Sequence, residues 1–137
     1  MTKVYESLGQ MMDACAVDAV RLARERYGFE LDYSEESVAW IDTILTNVAA
    51  DEPDILETET KRWGGYFGEV IRRRWDGEWS LEQYPGGNSA LPAVIVRGSS
   101  LFPLMKVYRR LTIGEGESVG EFYAMVRKKL EAQPSSN

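Results

Sequence analysis

No histidine occurs in the 137 residues, and cysteine appears once, at Cys15. The first absence removes Ser-His and Cys-His nucleophilic pairs, histidine general bases and every histidine metal site. The second rules out an internal disulfide, which fits a reducing cytoplasm, and a thiolate zinc site. On its apolar helix face Cys15 reads as inert packing. No apolar run approaches the roughly 20 residues that span a membrane. The opening Met1-Thr2-Lys3-Val4-Tyr5-Glu6 lacks a basic segment leading into an apolar one. A cytoplasmic protein without membrane contact is therefore expected. Phosphate-loop and dinucleotide motifs are missing too. Gly64-Gly65-Tyr66-Phe67-Gly68 has a glycine spacing, but no strand precedes it and a helix runs through it.

What is present suffices for a core. The chain is 44% hydrophobic, with four Trp, seven Tyr and four Phe, which argues against disorder. One globular domain over residues 1–132 is expected, followed by a frayed tail at 133–137. The net charge of −6 is unevenly placed. Residues 1–60 carry four Lys/Arg against fourteen Asp/Glu, whereas residues 61–137 carry twelve against eight. Two such halves attract each other within one fold, and an acidic surface also draws in a basic protein partner. Arg72-Arg73-Arg74 with Trp75, and Arg109-Arg110 beside Tyr108, have the composition of a nucleic-acid surface. The acidic half would repel phosphate, so nucleic acid is not an expected partner. Asp51, Glu52, Asp54, Glu57 and Glu59 lack the spacing and glycine of a calcium loop, and no metal or cofactor is expected.

Hydrophobic periodicity divides the chain. Val4, Leu8, Met11, Met12, Cys15, Ala19, Leu22 and Ala23 predict a long helix that stops at Gly28. Phe29, Leu31 and Tyr33 alternate through an extended link that is a candidate extra strand. Ser34 caps a second helix with Val38, Ile41, Leu45 and Val48 inside. After Asp51-Glu52-Pro53, a capping box of Asp54 and Glu57 opens a third helix that ends at Asp76-Gly77. Trp79 and Leu81, the turn Pro85-Gly86-Gly87-Asn88, and Ala93-Val94-Ile95-Val96 then predict a β-hairpin. Pro103 starts a fourth helix that stops at Gly114, and Ser118 with Glu121 caps a fifth. The fold expected is α+β, about five helices packed around a small antiparallel β-hairpin or sheet.

The third helix holds the unusual residues. Gly64, Gly65 and Gly68 each cost about 1 kcal/mol relative to alanine inside a helix. Gly64 and Gly68 share a face, so a structural role in close backbone approach is expected. Glu69 lies among them, with Arg72 and Arg73 at i+3 and i+4. One reading is an ion pair on an exposed or half-exposed face, worth under about 1 kcal/mol. The other is a functional carboxylate in a concave, partly apolar site, where desolvation raises its pKa. Trp63, Tyr66 and Trp79 are aromatic candidates to line such a pocket, with Glu69, Arg72 and Arg73 as its polar groups. The long first helix carries apolar surface enough to suggest a two-fold dimer.

The run Leu31-Asp32-Tyr33-Ser34-Glu35-Glu36-Ser37-Val38, with Trp40-Ile41-Asp42, resembles the opening of a family of small uncharacterised bacterial domains. In that family an L-D-Y-S start precedes a helix of G-x-Y/F-x-G-E type and then a Gly-x-Trp hairpin. The matching pieces are Gly64-Gly65-Tyr66-Phe67-Gly68-Glu69-Val70 and Gly77-Glu78-Trp79, with Pro103 to Tyr108, Ser118-Val119 and Phe122-Tyr123 at the end. The likeness spans residues 29 to 126 and leaves out the first helix, residues 1–28. It implies a fold unit and no catalytic residue. The function expected from the missing catalytic kit is a non-enzymatic protein-binding or interaction domain. One version, immunity- or antitoxin-like, masks a basic toxin. The alternative is a small-ligand-binding protein or a carboxylate-dependent enzyme using Glu69.

Overall fold

The computed structural model describes residues 5–132, so Val4 of the first stripe and the tail at 133–137 lie outside the described residues. Helix α1 covers Leu8–Leu22, capped by the Ser7 side chain, which accepts from the Gln10 N–H. Its last turn widens into a π-helix over Ala23–Tyr27 and stops at Gly28, whose φ of 74° is the left-handed ending glycine favours. Helix α2 is Ser37–Thr46 and α3 is Pro53–Trp75. Strands β1 (Glu78–Gln83), β2 (Ala90–Val96) and β3 (Ser99–Leu101) follow, then α4 (Pro103–Thr112), a short 3₁₀ turn, and α5 (Val119–Ala132). Five helices and a three-stranded antiparallel sheet make an α+β fold.

Helix α3 is the axis of the molecule. Every residue from Trp63 to Ile71 is buried, because α1 and α4 pack along it and α2, α5 and β2 close the remaining sides. The glycines permit this. A Cβ on Gly64 would lie 2.8 Å from the Leu104 Cα of α4, and one on Gly65 would lie 2.8 Å from the Cys15 Cβ of α1. Close approach on two faces buries apolar surface that offsets the propensity cost. The apolar stripe of α1, namely Met12, Ala16, Ala19 and Leu22, is therefore used inside the molecule, and Val17 alone of its large apolar side chains stays exposed.

Several expected local features take other forms: α2 has Glu36 and not Ser34 at its cap position and ends at Thr46, which leaves Val48 outside it. The Asp54–Glu57 capping box does not form: the cap is Glu52, without a side-chain bond, and Pro53 takes the first helical position. Proline's fixed φ suits that position, and it moves Asp54 inside the first turn. The link from Phe29 to Tyr33 is not a strand. Tyr33 has a φ of 65°, and Phe29 stacks on Trp40 at 5.5 Å, so the link is anchored by aromatic side chains instead of a ladder. The third strand is β3, reached through the tight turn Arg97-Gly98, both residues having positive φ. That is the backbone a two-residue hairpin turn requires. The order is β1-β2-β3, with Trp79 opposite Val94 and Val94 opposite Leu101.

The fifth helix is capped from a distance as well as locally. Ser118 accepts from the Glu121 N–H at 3.1 Å, and the Asp42 carboxylate of α2 accepts from Val119 at 2.9 Å and Gly120 at 2.8 Å. Arg110 lies 3.4 Å from the same carboxylate and donates to Thr46 at 2.7 Å. This array ties α2, α4 and α5 together. Asp42→Ala is expected to cost about 2 kcal/mol, the upper end for a helix cap, since it also strips Arg110 of its carboxylate partner. Urea unfolding checks it, and a loss below a few tenths of a kcal/mol would rule out the capping role.

Candidate functional site

Glu69 is the most heavily bonded carboxylate among the described residues, and it is only 1% exposed. Arg72 grips both of its oxygens, Nε to Oε2 at 2.6 Å and the terminal nitrogen to Oε1 at 3.0 Å. Arg73 Nε donates to Oε1 at 3.3 Å, and the indole N–H of Trp79 donates to Oε2 at 2.8 Å. The helix supplies both arginines at one turn's spacing, and β1 supplies the indole. Burial pushes the Glu69 pKa up, but the bonds from Arg72 and Trp79 and the charges of both arginines outweigh it. The carboxyl is held below its ordinary range. The intrahelical pair thus exists, yet its burial overturns the expected exposed face, and the direction of the shift opposes the raised pKa of a general acid or base.

The indole of Trp79 reaches Glu69 by lying across Gly68. A Cβ at that position would overlap the six-membered part of the ring and come within 2.9 Å of Pro103. Gly68 therefore makes the seat for the side chain that completes the carboxylate's shell. Arg73 continues outward: its guanidinium carbon lies 3.5 Å from the centre of the Tyr33 ring, and its terminal nitrogen reaches Asp13 at 3.5 Å.

Trp63 and Tyr66 belong to other arrangements. Trp63, 1% exposed, donates to Glu59 at 2.7 Å and meets Tyr27 edge-on. Tyr66 is fully buried, and its hydroxyl accepts from the Tyr33 N–H at 2.8 Å and is hydrogen-bonded to Ser37 Oγ at 2.7 Å. That bond and a ring–ring contact of 4.9 Å hold Tyr33 in its left-handed backbone. Of the six candidates, Glu69, Arg72, Arg73 and Trp79 come together. Trp63 and Tyr66 are buried as packing and do not line a common cavity with them. Cys15 is half-buried against Gly65, and burial pushes its thiol up, away from reactivity.

The concave surface lies elsewhere. A groove of about 420 Å³ runs between α1, the first turns of α3, the start of β2 and α4. Its walls are Met11, Met12, Leu56, Leu91, Leu104 and Met105, with Glu57, Lys61 and Tyr108 at its margin. Thr60 also lines it, and the hydroxyl is buried without a partner among the described residues. Glu69 lines neither this groove nor the smaller hollow beside it, of about 270 Å³, under Phe102 and Lys106.

Comparison with family models, with curated proteins and with solved structures found no match.

The groove went unread in the sequence because its residues count as core by periodicity. The signal was on α4, where Leu104, Val107 and Leu111 fill one stripe while Met105 and Tyr108 extend the apolar arc past it. An apolar arc wider than one neighbour can cover points to an uncovered face. Among the described residues no group of three or more potential ligands is close enough to hold a metal, and no helix is long and apolar enough to cross a membrane.

Proposed function

We propose that this protein is a non-enzymatic binding domain whose recognition surface is the apolar groove between α1, α3, α4 and β2. The observation that carries this reading is the groove itself: about 420 Å³ open to solvent, walled by three methionines and three leucines. Its size falls within the roughly 300–1,000 Å³ of pockets that bury a ligand. Methionine side chains are flexible and polarisable, and they adapt to varied partners. The alternative, chemistry at Glu69, has less support. A carboxylate that already accepts four hydrogen bonds and is held strongly ionised has no free lone pair for a substrate proton. Self-association through α1 also has little to work with, since its stripe is buried against α3.

The methionines provide the test. Met11, Met12 and Met105 line the groove, and Met125 stands 61% exposed on α5. In protein labelled with ¹³C at the methionine methyls, titration with 1-hexanol is expected to shift the first three signals in a saturable way and leave Met125 in place. Equal drift of all four, or none, would remove the groove from consideration.

A further inference from the structure

We infer that the groove takes an amphipathic helix of a partner protein, apolar on the face it inserts and basic along the flanks. The inference rests on the binding-domain reading above and names the partner class for it.

Backbone chemistry decides between a helix and an extended segment. The groove walls offer almost no polar atoms, so a guest must enter with its own N–H and C=O groups already paired. A helix does this internally, whereas an extended peptide needs a sheet edge. The adjoining part of β2 is the one edge within reach, because β3 pairs with Val94 to Val96 and leaves the Ala90–Ala93 stretch with β1 alone. Pro92 interrupts that stretch. It has no N–H to donate, so an added strand would meet a gap in its ladder. Length agrees with a short helix. The α3 wall from Pro53 to Lys61 runs about 12 Å, enough for guest side chains at i, i+3 or i+4, and i+7.

Charge decides the flanks. Asp51, Glu52 and Asp54 stand exposed at the end of the groove where α3 begins, with no cation in ion-pair distance among the described residues. Glu57 is exposed at the margin, and among the described residues Lys61, at 2.9 Å, is its one ionic partner. A basic flank would add opposite charge beside this acidic lip, and acidic flanks would meet repulsion.

Two synthetic peptides of about 14 residues, roughly four helical turns, test this: both carry leucines at i, i+3, i+7 and i+10, one with lysine and the other with glutamate elsewhere. The ¹³C-methionine spectrum reports the site and the titration reports the affinity. The lysine peptide is expected to shift Met11, Met12 and Met105, spare Met125, and bind at least about tenfold more tightly than the glutamate peptide at low salt, the gap closing near 1 M salt. The variant Asp51→Asn/Glu52→Gln/Asp54→Asn is expected to weaken the lysine peptide several-fold and leave the hexanol titration unchanged. Equal affinities for the two peptides would overturn the basic flank. Hexanol shifts with no peptide shifts would overturn the helix and make the groove a small-molecule site, and failure of hexanol itself would overturn the binding-domain reading beneath both.

Discussion

Glu69→Gln is expected to destabilise the fold by about 3 kcal/mol, the range for removing one partner of a buried ion pair. The glutamine carbonyl can still accept from the two donors on its side of the site. Its amide, however, points N–H groups at guanidinium donors that have no lone pair to offer. Since Glu69 is 1% exposed, water does not replace the lost bonds. Urea unfolding measures the loss directly. A value under 1 kcal/mol would return Glu69 to the class of exposed helix pairs. The same pair yields a pH dependence with a definite sign. A carboxyl whose folded pKa is depressed contributes stability that is fully present above its unfolded pKa, near 4.3–4.5, and is lost as pH falls through the lower folded value. The stability gap between wild type and Glu69→Gln is therefore widest at neutral pH and narrows below about pH 4. A gap that stays constant from neutral pH to the acid limit would mean that charge is not what the carboxylate contributes.

Gly68→Leu is expected to cost about 3 kcal/mol, at the severe end of overpacking, because even the first added carbon overlaps the Trp79 ring. For a chain of this length that is a fall in melting temperature of roughly 10 °C. The mechanism separates this from ordinary crowding. Pushing the indole away also removes its hydrogen bond to Glu69, so Gly68 and Trp79 should be strongly coupled. In a Trp79→Ala background, Gly68→Ala is expected to cost under about 1 kcal/mol, as the ring is gone and alanine favours the helix. Additive losses across that double-mutant cycle would show that Pro103, and not the indole, sets the requirement for glycine. An unchanged melting temperature for Gly68→Leu would refute the packing account altogether.

The buried Glu69 cluster shows how a correct local reading acquires a different meaning in three dimensions. Spacing along α3 was enough to pair Glu69 with Arg72 and Arg73, since i+3 and i+4 neighbours meet on any helix. Nothing in the spacing says whether that face meets water. The indole of Trp79 arrives ten residues later from a strand, and its approach depends on the empty space at Gly68 and on the turn at Asp76-Gly77. Burial then converts a weak surface pair into a fully satisfied internal one. The capping of α5 by Asp42, some 77 residues upstream of the N–H groups it accepts from, is similar. Ser118 was visible as a cap because its reach is local, and Asp42 was not.

The sequence by itself determined the five helices, the hairpin, the α+β class and the absence of histidine chemistry. Each of these depends on periods, caps, turn residues or composition, which act over a few residues or over none. It also marked Gly64 and Gly68 as sites of close backbone approach, because three glycines within a helix need compensation from outside it; a backbone does approach at Gly64, but only side chains do at Gly68. Only the tertiary structure decided what approaches: the α4 backbone at Gly64, α1 at Gly65 and the Trp79 ring at Gly68. It alone turned the Phe29–Tyr33 link into an aromatic clasp and placed the third strand at Ser99–Leu101. It alone left the methionine-lined groove uncovered. A groove is the space where neighbouring elements fail to meet, and that depends on distances among α1, α3, β2 and α4 that no local pattern encodes.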